Sequence, residues 1–456
     1  MGSIENNDLF VEYDSDSLAA FDAAVHEADL VYIKKLALND WQWAESPNAH
    51  QGGFYVPQSD RDSGFFPPLS EKFRPQGGMP IYEVWFDVVW PQAGGEIKEA
   101  RLVNYSSKGE ETHLTNVVKA PFRGISPASL VLMGRRMSRD GNVIFTALVA
   151  DSASQAADYL RNTFNLSSDF HSGFFEPAVI VKETKNKALS FLDSALEAWR
   201  LDKLDEFAKS IAALPKPKEL ARRAQEIYLE TCGRTNLSPF ELDEPGNSIM
   251  RISRDIEFNL FKEYELQARS LELVKIIFGF DRSTMTIEKA ITSIIDQFPQ
   301  IDKILLSAAQ QRKSRAGKSF ELHIERLLTD GGIPHEVQVV IESKKRPDFV
   351  LPNYKTYQDP HRTKQQALVL SAKTTLRERW KQVHAEIKNC DLYLATVDEN
   401  ITESAIDDMS DSGIFLVVPE VLKYSNTTVY RKKNNVLSFK NYFEQEIKNN
   451  RMPLWN

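Results

Sequence analysis

Residues 344–352 read KKRPDFVLP. Three cations run into Pro347-Asp348, and the carboxylate opens directly onto an apolar strand pattern from Phe349 to Leu351. A surface aspartate solvated by bulk water needs neither the strand behind it nor the basic cluster before it. A second stretch, ALVLSAK at 367–373, has a related form: an apolar strand that ends in Lys373. Each is ordinary by itself, because most Pro-Asp pairs mark turns and a lysine that closes a strand is usually a solvated end. Their neighbourhood decides between that reading and a site.

Around them, helix and strand patterns alternate. KSFELHIERLLTDGG (318–332) predicts a helix ended by Gly331-Gly332. HEVQVVIES, PDFVLP, ALVLSAK, DLYLATV and GIFLVVP predict strands. TTLRERWKQVHAEIKNC (374–390) predicts a helix with Leu376, Trp380, Val383 and Ile387 on one face. The sum is an α/β domain with a central mixed sheet. Upstream, residues 186–214 and 251–278 carry apolar residues at three- and four-residue intervals, interrupted by LPKPKE. From Tyr32 to Phe175 the pattern changes to short strands, among them VYIKKLAL, GGFYVP, IYEVWFDVVW and NVIFTALVA. SRDGN (138–142) predicts a hairpin turn, and several strands at this spacing predict a compact barrel or sandwich. The expected organisation is a mainly-β domain over 1–178, a linker over 179–185, and an α/β domain with a helical N-terminal part over 186–456.

Composition sets the outer limits. The 456 residues suit about three domains of ordinary size. A hydrophobic content of 42% is enough for real cores. The net charge of −8 argues against a protein that coats nucleic acid by bulk attraction, but permits a local basic cleft. Cys232 and Cys390 are the only cysteines, so neither a disulfide framework nor a cysteine-rich zinc site is available, which suits a reducing bacterial cytoplasm. MGSIENNDLF lacks an apolar h-region, and no signal peptide is expected. No apolar run approaches the ~20 residues of a membrane span.

Phosphodiester hydrolysis is the chemistry that uses such residues together. Asp348, Lys373, Glu321 beside Phe320, and Glu386 beside Ile387 supply an acid at a strand start, a lysine at a strand end and two helix acids. Carboxylates hold Mg²⁺, a hard ion that prefers oxygen ligands. A bound metal neutralises the scissile phosphate and lowers the pKa of a water. Asp348 is then a metal ligand, and Lys344, Lys345 and Arg346 meet the phosphate backbone.

Taken as an ordered set, RKSRAGKSFELHIERLL, KKRPDFVLP, SAKTTLRERWKQ and SGIFLVVP resemble the catalytic half of the EcoRII family of type II restriction endonucleases. The similarity runs from about Arg251 to Pro419. It implies the PD-(D/E)XK nuclease fold, with Asp348, Lys373 and Glu386 as the catalytic trio, Asp348 and Glu386 as metal ligands, and Glu321 and Tyr357 as assistants. Ser371 stands where the parent pattern has its second strand acid, so the acid comes from the helix as Glu386. VYIKKLALND followed by HQGGFYVP resembles, more weakly, the opening of the same family's effector domain, a DNA-binding pseudobarrel. That likeness implies His50 and Tyr55 in a first DNA-reading arm, and a second arm within KGEETHLTNVVK. There the family pattern is richly basic, whereas this chain offers Thr112, His113, Thr115 and Asn116. The resemblance further implies a type IIE enzyme, a homodimer through the catalytic domain, double-stranded DNA as substrate, and a cognate DNA methyltransferase acting on the same site.

TTLRERW follows Lys373 directly. Arginine binds guanine O6 and N7 in two-pronged fashion, and a carboxylate accepts from cytosine N4. Arg377, Glu378 and Arg379 thus form a compact reader of G·C pairs, the alternative being an exposed helix face of mixed charge. The resemblance places Arg251 and Arg254 in the segment that holds a flipped base. QRKSRAGKS (311–319) is either a solvated basic loop or a contact to the DNA backbone, with Arg312 the foremost candidate. It is no phosphate-binding P-loop, because the position five residues before Gly317 is Arg312 and not glycine. His50 is either a plain loop residue or a DNA reader, and Trp41, Trp43, Trp85 and Trp90 are expected in the core or at its rim.

The expected function is a Mg²⁺-dependent, site-specific endonuclease; the resemblance implies CC/GG half-sites and an N-terminal domain that holds the enzyme back until it binds a second copy of the site. Two alternatives compete: a non-catalytic DNA-binding regulator built on the pseudobarrel, and a modification-dependent nuclease. The intact Asp348, Lys373 and Glu386 set argues against the first of these.

Overall fold

The fold is seen in a computed structural model that describes residues 18–46, 52–73, 79–109, 111–138, 140–211, 215–278, 286–340, 346–376, 380 and 389–455. Only the backbone is described at 108, 183–188, 208–211, 305, 308–310 and 313. The chain divides into two compact units: Met1–Leu166 with Phe170–Val181, and Ser167–Asp169 with Lys182–Asn456. The division falls inside a single helix, Pro177–Arg200, so the segment 179–185 is helical. Proline at the first helical position, where no amide partner is needed, starts it.

The first unit is a mainly-β pseudobarrel. Its strands are β1 (Leu30–Lys35), β2 (Gly53–Val56), β3 (Ser70–Glu71), β4 (Ile81–Trp90), β5 (Glu96–Tyr105), β6 (Thr112–Thr115), β7 (Leu130–Met137), β8 (Val143–Ala150) and β9 (Ser172–Phe175). They run in the order β2-β6-β5-β4-β8-β7-β1-β9, with β3 on β4. The β4–β8 pair is parallel, and the others are antiparallel. Successive side chains alternate between two cores, as the pleat requires. Val131 and Met133 join Tyr32, Phe54 and Trp90 on one face, while Leu130 and Leu132 meet Phe21 and Leu160 on the other. Phe21 and Leu160 come from the helices Leu18–Glu27 and Gln155–Thr163, which cover that second face. The expected hairpin joins β7 to β8, with Met137 opposite Val143 and Gly141 at φ 80°.

The second unit has the PD-(D/E)XK architecture. Six strands lie in chain order: β10 (Glu336–Val337), β11 (Phe349–Leu351), β12 (Leu368–Ala372), β13 (Asp391–Ala395), β14 (Ile414–Val418) and β15 (Val436–Ser438). β10 to β12 pair antiparallel, and β12 to β15 pair parallel. Their side chains share one core with the helices Pro217–Cys232 and Phe298–Asp330, through Tyr228, Phe320, Ile324 and Leu327. A π-helical turn, Arg251–Glu257, joins the short helix Pro245–Met250 to the helix Phe258–Phe278.

Two sequence expectations are corrected here. QRKSRAGKS is not a loop but lies within the 33-residue helix Phe298–Asp330. Its arginine, lysine, glutamine and alanine are strong helix formers, and the single Gly317 costs only about 1 kcal/mol against them. Among its described residues, HEVQVVIES forms a strand only over Glu336–Val337. Gln338 ends the extended run by adopting φ 54°, and residues 341–345 lie outside those described.

Candidate active site

β11 and β12 are antiparallel neighbours, with Phe349 opposite Leu370. That register sets the residue before β11 beside the end of β12. Asp348 is 6% exposed. Its Oδ2 accepts the Ala372 N–H at 2.8 Å and the Lys373 ammonium at 2.7 Å. Lys373 Nζ also donates to the Ala372 carbonyl at 3.0 Å, and its backbone N–H bonds the Ala395 carbonyl on β13 at 3.0 Å. The acid and the lysine are therefore fixed to two neighbouring strand ends by backbone and side chain together.

Glu321 reaches the same place from the helix Phe298–Asp330. Its Oε2 accepts Lys318 at 2.8 Å and the side-chain amide of Gln338 at 3.2 Å. The same amide nitrogen donates to Asp348 Oδ1 at 3.3 Å. Gln338 is thus the link between the two acids, and a lone glutamine in HEVQVVIES gave no sign of it. Deeper in the fold, His323 on the same helix is fully buried, its Nε2 2.8 Å from Glu257 and its Nδ1 3.0 Å from the Gln225 amide. This polar cluster ties the helix bearing Glu321 to the π-helical turn that carries Arg251 and Arg254.

The donor set is all oxygen, which suits a hard divalent cation. Two carboxylates converge on one amide nitrogen, so both are aimed at a common space. No group of three His, Cys, Asp or Glu side chains converges among the described residues. Glu386, the third acid of the expected set, lies outside them, as do Arg377, Glu378, Arg379, Lys344, Lys345 and His50. Tyr357 is buried on the helix Tyr354–Gln358, with its ring beside Tyr354 and under the Arg362 guanidinium at 5.4 Å.

Arg254 pairs with the buried carboxylate of Glu399. Burial opposes its charge, but Glu399, Asp398 and Asp255 outweigh that and raise the guanidinium above its ordinary value. Asp398 beside it is pushed above the usual carboxylate range by burial, although it accepts the Leu376 and Asn400 amides at 2.8 and 2.9 Å. The Leu376 bond holds the chain just past Lys373. Arg251 is exposed, and its guanidinium lies 5.9 Å from the Tyr228 ring. Arg312 is exposed on its helix and pairs with Glu265 at 3.0 Å.

In the first unit, β2 and β6 pair with Tyr55 opposite His113, and the two rings meet edge to face at 5.8 Å. Tyr55 is exposed. Asp40 holds this strand: Oδ1 accepts the Tyr55 N–H at 2.8 Å, while Oδ2 accepts the Ala37 N–H and the buried Lys34 ammonium at 2.9 and 2.5 Å. The ordered KKLALND run of the sequence carries both partners. Asn116 adopts φ 57° and donates to the Glu99 carbonyl at 2.7 Å. Thr112 departs from the expected reading arm. It is fully buried, and its hydroxyl accepts from Arg61 at 3.2 Å, so it braces the strand from inside.

Residues 279–443 match the family model described as EcoRII C terminal. The chain is 36% identical over 415 residues to the type II restriction enzyme EcoRII of Escherichia coli, covering 86% of this chain and 88% of that relative. It is 30% identical over 234 residues to the type II restriction enzyme SsoII of Shigella sonnei, covering 48% of this chain and 73% of that relative. Among solved structures, metal-depleted Ecl18kI in complex with uncleaved, modified DNA has a TM-score of 0.44 and 27% identity, covering 55% of this chain and 81% of that one.

Proposed function

The chain belongs to the EcoRII family of type II restriction endonucleases, and on that premise we propose that it cuts double-stranded DNA with Mg²⁺ at a site built from CC/GG half-sites. Site-specific DNA cleavage comes with the family. The metal-assisted part of the reading is carried by one observation: Asp348, which holds the Lys373 ammonium, meets Glu321 through Gln338 at the ends of β11 and β12.

Asp348 and Glu386 would hold the metal, with Glu321 beside them. Bound there, Mg²⁺ supplies charge neutralisation at the scissile phosphate and an acidified water. Lys373, already anchored to Asp348 and to the strand backbone, orients the attacking water and stabilises charge that develops on the phosphoryl oxygens. Arg377, Glu378 and Arg379 read the G·C pairs, and Arg251 and Arg254 receive a flipped base. Two copies joined through the catalytic domain read the two half-sites of a near-palindrome. Tyr55, His113 and Asn116, with His50, belong to a second DNA-binding surface on the pseudobarrel, whose occupancy relieves inhibition of the catalytic unit. A methyltransferase with the same site protects the host DNA. No helix among the described residues is long and apolar enough to cross a membrane.

The test is digestion of a sequenced phage DNA, unmethylated and methylated in parallel, with Mg²⁺ and with chelator, followed by mapping of the ends. Fixed ends at CC/GG sites of the unmethylated DNA alone are expected. Cleavage restricted to methylated DNA would replace this reading with a modification-dependent nuclease.

A further inference from the structure

We propose that Gln338 is a displaceable placeholder in the metal site. With no metal bound, its side-chain amide nitrogen fills the space between Glu321 and Asp348, and metal binding turns it out. The inference rests on the metal-assisted reading given above.

Three observations carry it. The Gln338 amide donates to both acids at once, at 3.2 Å to Glu321 Oε2 and 3.3 Å to Asp348 Oδ1. An amide NH₂ has two donors and no acceptor, so one group satisfies one oxygen of each carboxylate. Its backbone is anchored separately: the Gln338 N–H bonds the Asp348 carbonyl at 3.0 Å, and Gln338 adopts φ 54°. Left-handed backbone at a residue other than glycine is uncommon, and here it falls on the residue whose side chain bonds both acids. Finally, Gln338 is exposed, so its side chain leaves the site without opening the core.

The chemistry follows from occupancy. Carboxylates that face one another without a cation repel. The ammonium groups of Lys318 and Lys373 offset part of this, at 2.8 Å from Glu321 and 2.7 Å from Asp348. The Gln338 amide sits between the two acids themselves. A cation there needs metal–oxygen distances of about 2.0–2.1 Å. An amide nitrogen, which has no lone pair to offer, cannot share that space. Metal binding must therefore break both long hydrogen bonds, and their cost is subtracted from metal affinity.

Isothermal titration of full-length, DNA-free protein with MgCl₂ tests this without reading activity. Gln338→Ala and Gln338→Asn are compared with the unaltered protein, and circular dichroism checks their folding. Asparagine tolerates the left-handed backbone but is one methylene too short to span the acids, so it keeps the test readable where alanine misfolds. Both variants are expected to bind Mg²⁺ about fivefold more tightly. Unchanged affinity would make Gln338 a bystander and overturn the proposal. Weaker affinity would make it a ligand through its carbonyl and overturn it equally. Asp348→Asn separates the two levels of inference: if it binds Mg²⁺ as the unaltered protein does, the metal-site reading itself fails, whatever the Gln338 variants do.

Discussion

Lys373 Nζ and the backbone N–H of Ala372 share a single oxygen of Asp348, Oδ2, at 2.7 and 2.8 Å. Asp348, the acid proposed to hold the metal, is therefore also a structural acceptor that pins the start of β11 to the end of β12. Activity and stability are separable here only by a substitution that keeps the acceptor.

Asp348→Asn retains one acceptor oxygen and the side-chain volume. It is expected to lower the cleavage rate by on the order of 10³-fold or more while leaving the unfolding midpoint close to that of the unaltered protein. Asp348→Ala leaves the buried Ala372 N–H without its partner and is expected to cost a further ~1–3 kcal/mol of stability. Cleavage assays beside urea denaturation check both. Full activity in either variant would remove Asp348 from the site.

Much of this was legible in the sequence. Apolar runs bounded by Pro, Asp or Lys located β11 and β12, because burial on both faces leaves a continuous hydrophobic signature. The same signature located β13 and β14, and the alternating runs of the first unit located its hairpin. What escaped was set by long-range partners. Nothing local marks Gln338 as the link between Glu321 and Asp348, or Asp40 as the acceptor that holds Tyr55. Thr112 reads as a polar strand residue, and only the β2–β6 pairing shows that it faces inward against Arg61. The basic run at 311–319 carries charges and a Gly317 that suit a loop as well as a DNA contact, and only the helix continuing on either side shows that it is helical.

Glu399 is buried against Arg254, and Arg254 is proposed to meet the flipped base. Removing the carboxylate leaves a guanidinium whose side chain is 32% exposed and so keeps part of its hydration. Glu399→Ala is expected to destabilise the protein by about 1–3 kcal/mol, less than the full cost of breaking a wholly buried pair from one side. Chemical denaturation checks it. A loss below about 1 kcal/mol would show the pair to be solvated like a surface ion pair.

Glu420 supplies a pH signature. It is 4% exposed, and its carboxylate accepts the Asn247 and Lys440 amides at 2.9 and 2.8 Å. Burial nevertheless raises its pKa above the ordinary 4.5. A carboxyl that keeps its proton longer when folded makes the native state bind more protons than the unfolded one, so its contribution to stability falls as pH rises from the ordinary value through the raised one. Asp398, raised by burial from 3.8, works in the same direction. Glu420→Gln removes one of these titrations. Its stability relative to the unaltered protein is expected to improve as pH is raised through that window. Denaturant midpoints measured at several pH values decide it, and a gap independent of pH would leave Glu420 unshifted.

The last expectation concerns regulation and where to cut the chain. The two units divide between Val181 and Lys182, inside the helix Pro177–Arg200. A fragment that starts at Lys182 would lose the first turn of that helix and its N-terminal proline. One that starts at Pro177 keeps both, so residues 177–456 are the better catalytic fragment. If the pseudobarrel restrains the nuclease until it binds DNA, effector DNA shifts the balance only through its higher affinity for the released state. The fragment is then expected to cut single-site DNA several times faster than the full chain. Added site-containing oligonucleotide should stimulate the full chain and leave the fragment unaffected. Tyr55→Ala in the full chain removes an exposed aromatic from the proposed second surface and should blunt that stimulation, while the fragment's rate is untouched by definition. Equal single-site rates for fragment and full chain, with no response to oligonucleotide, would reduce the pseudobarrel to an affinity module and remove autoinhibition from the proposed function.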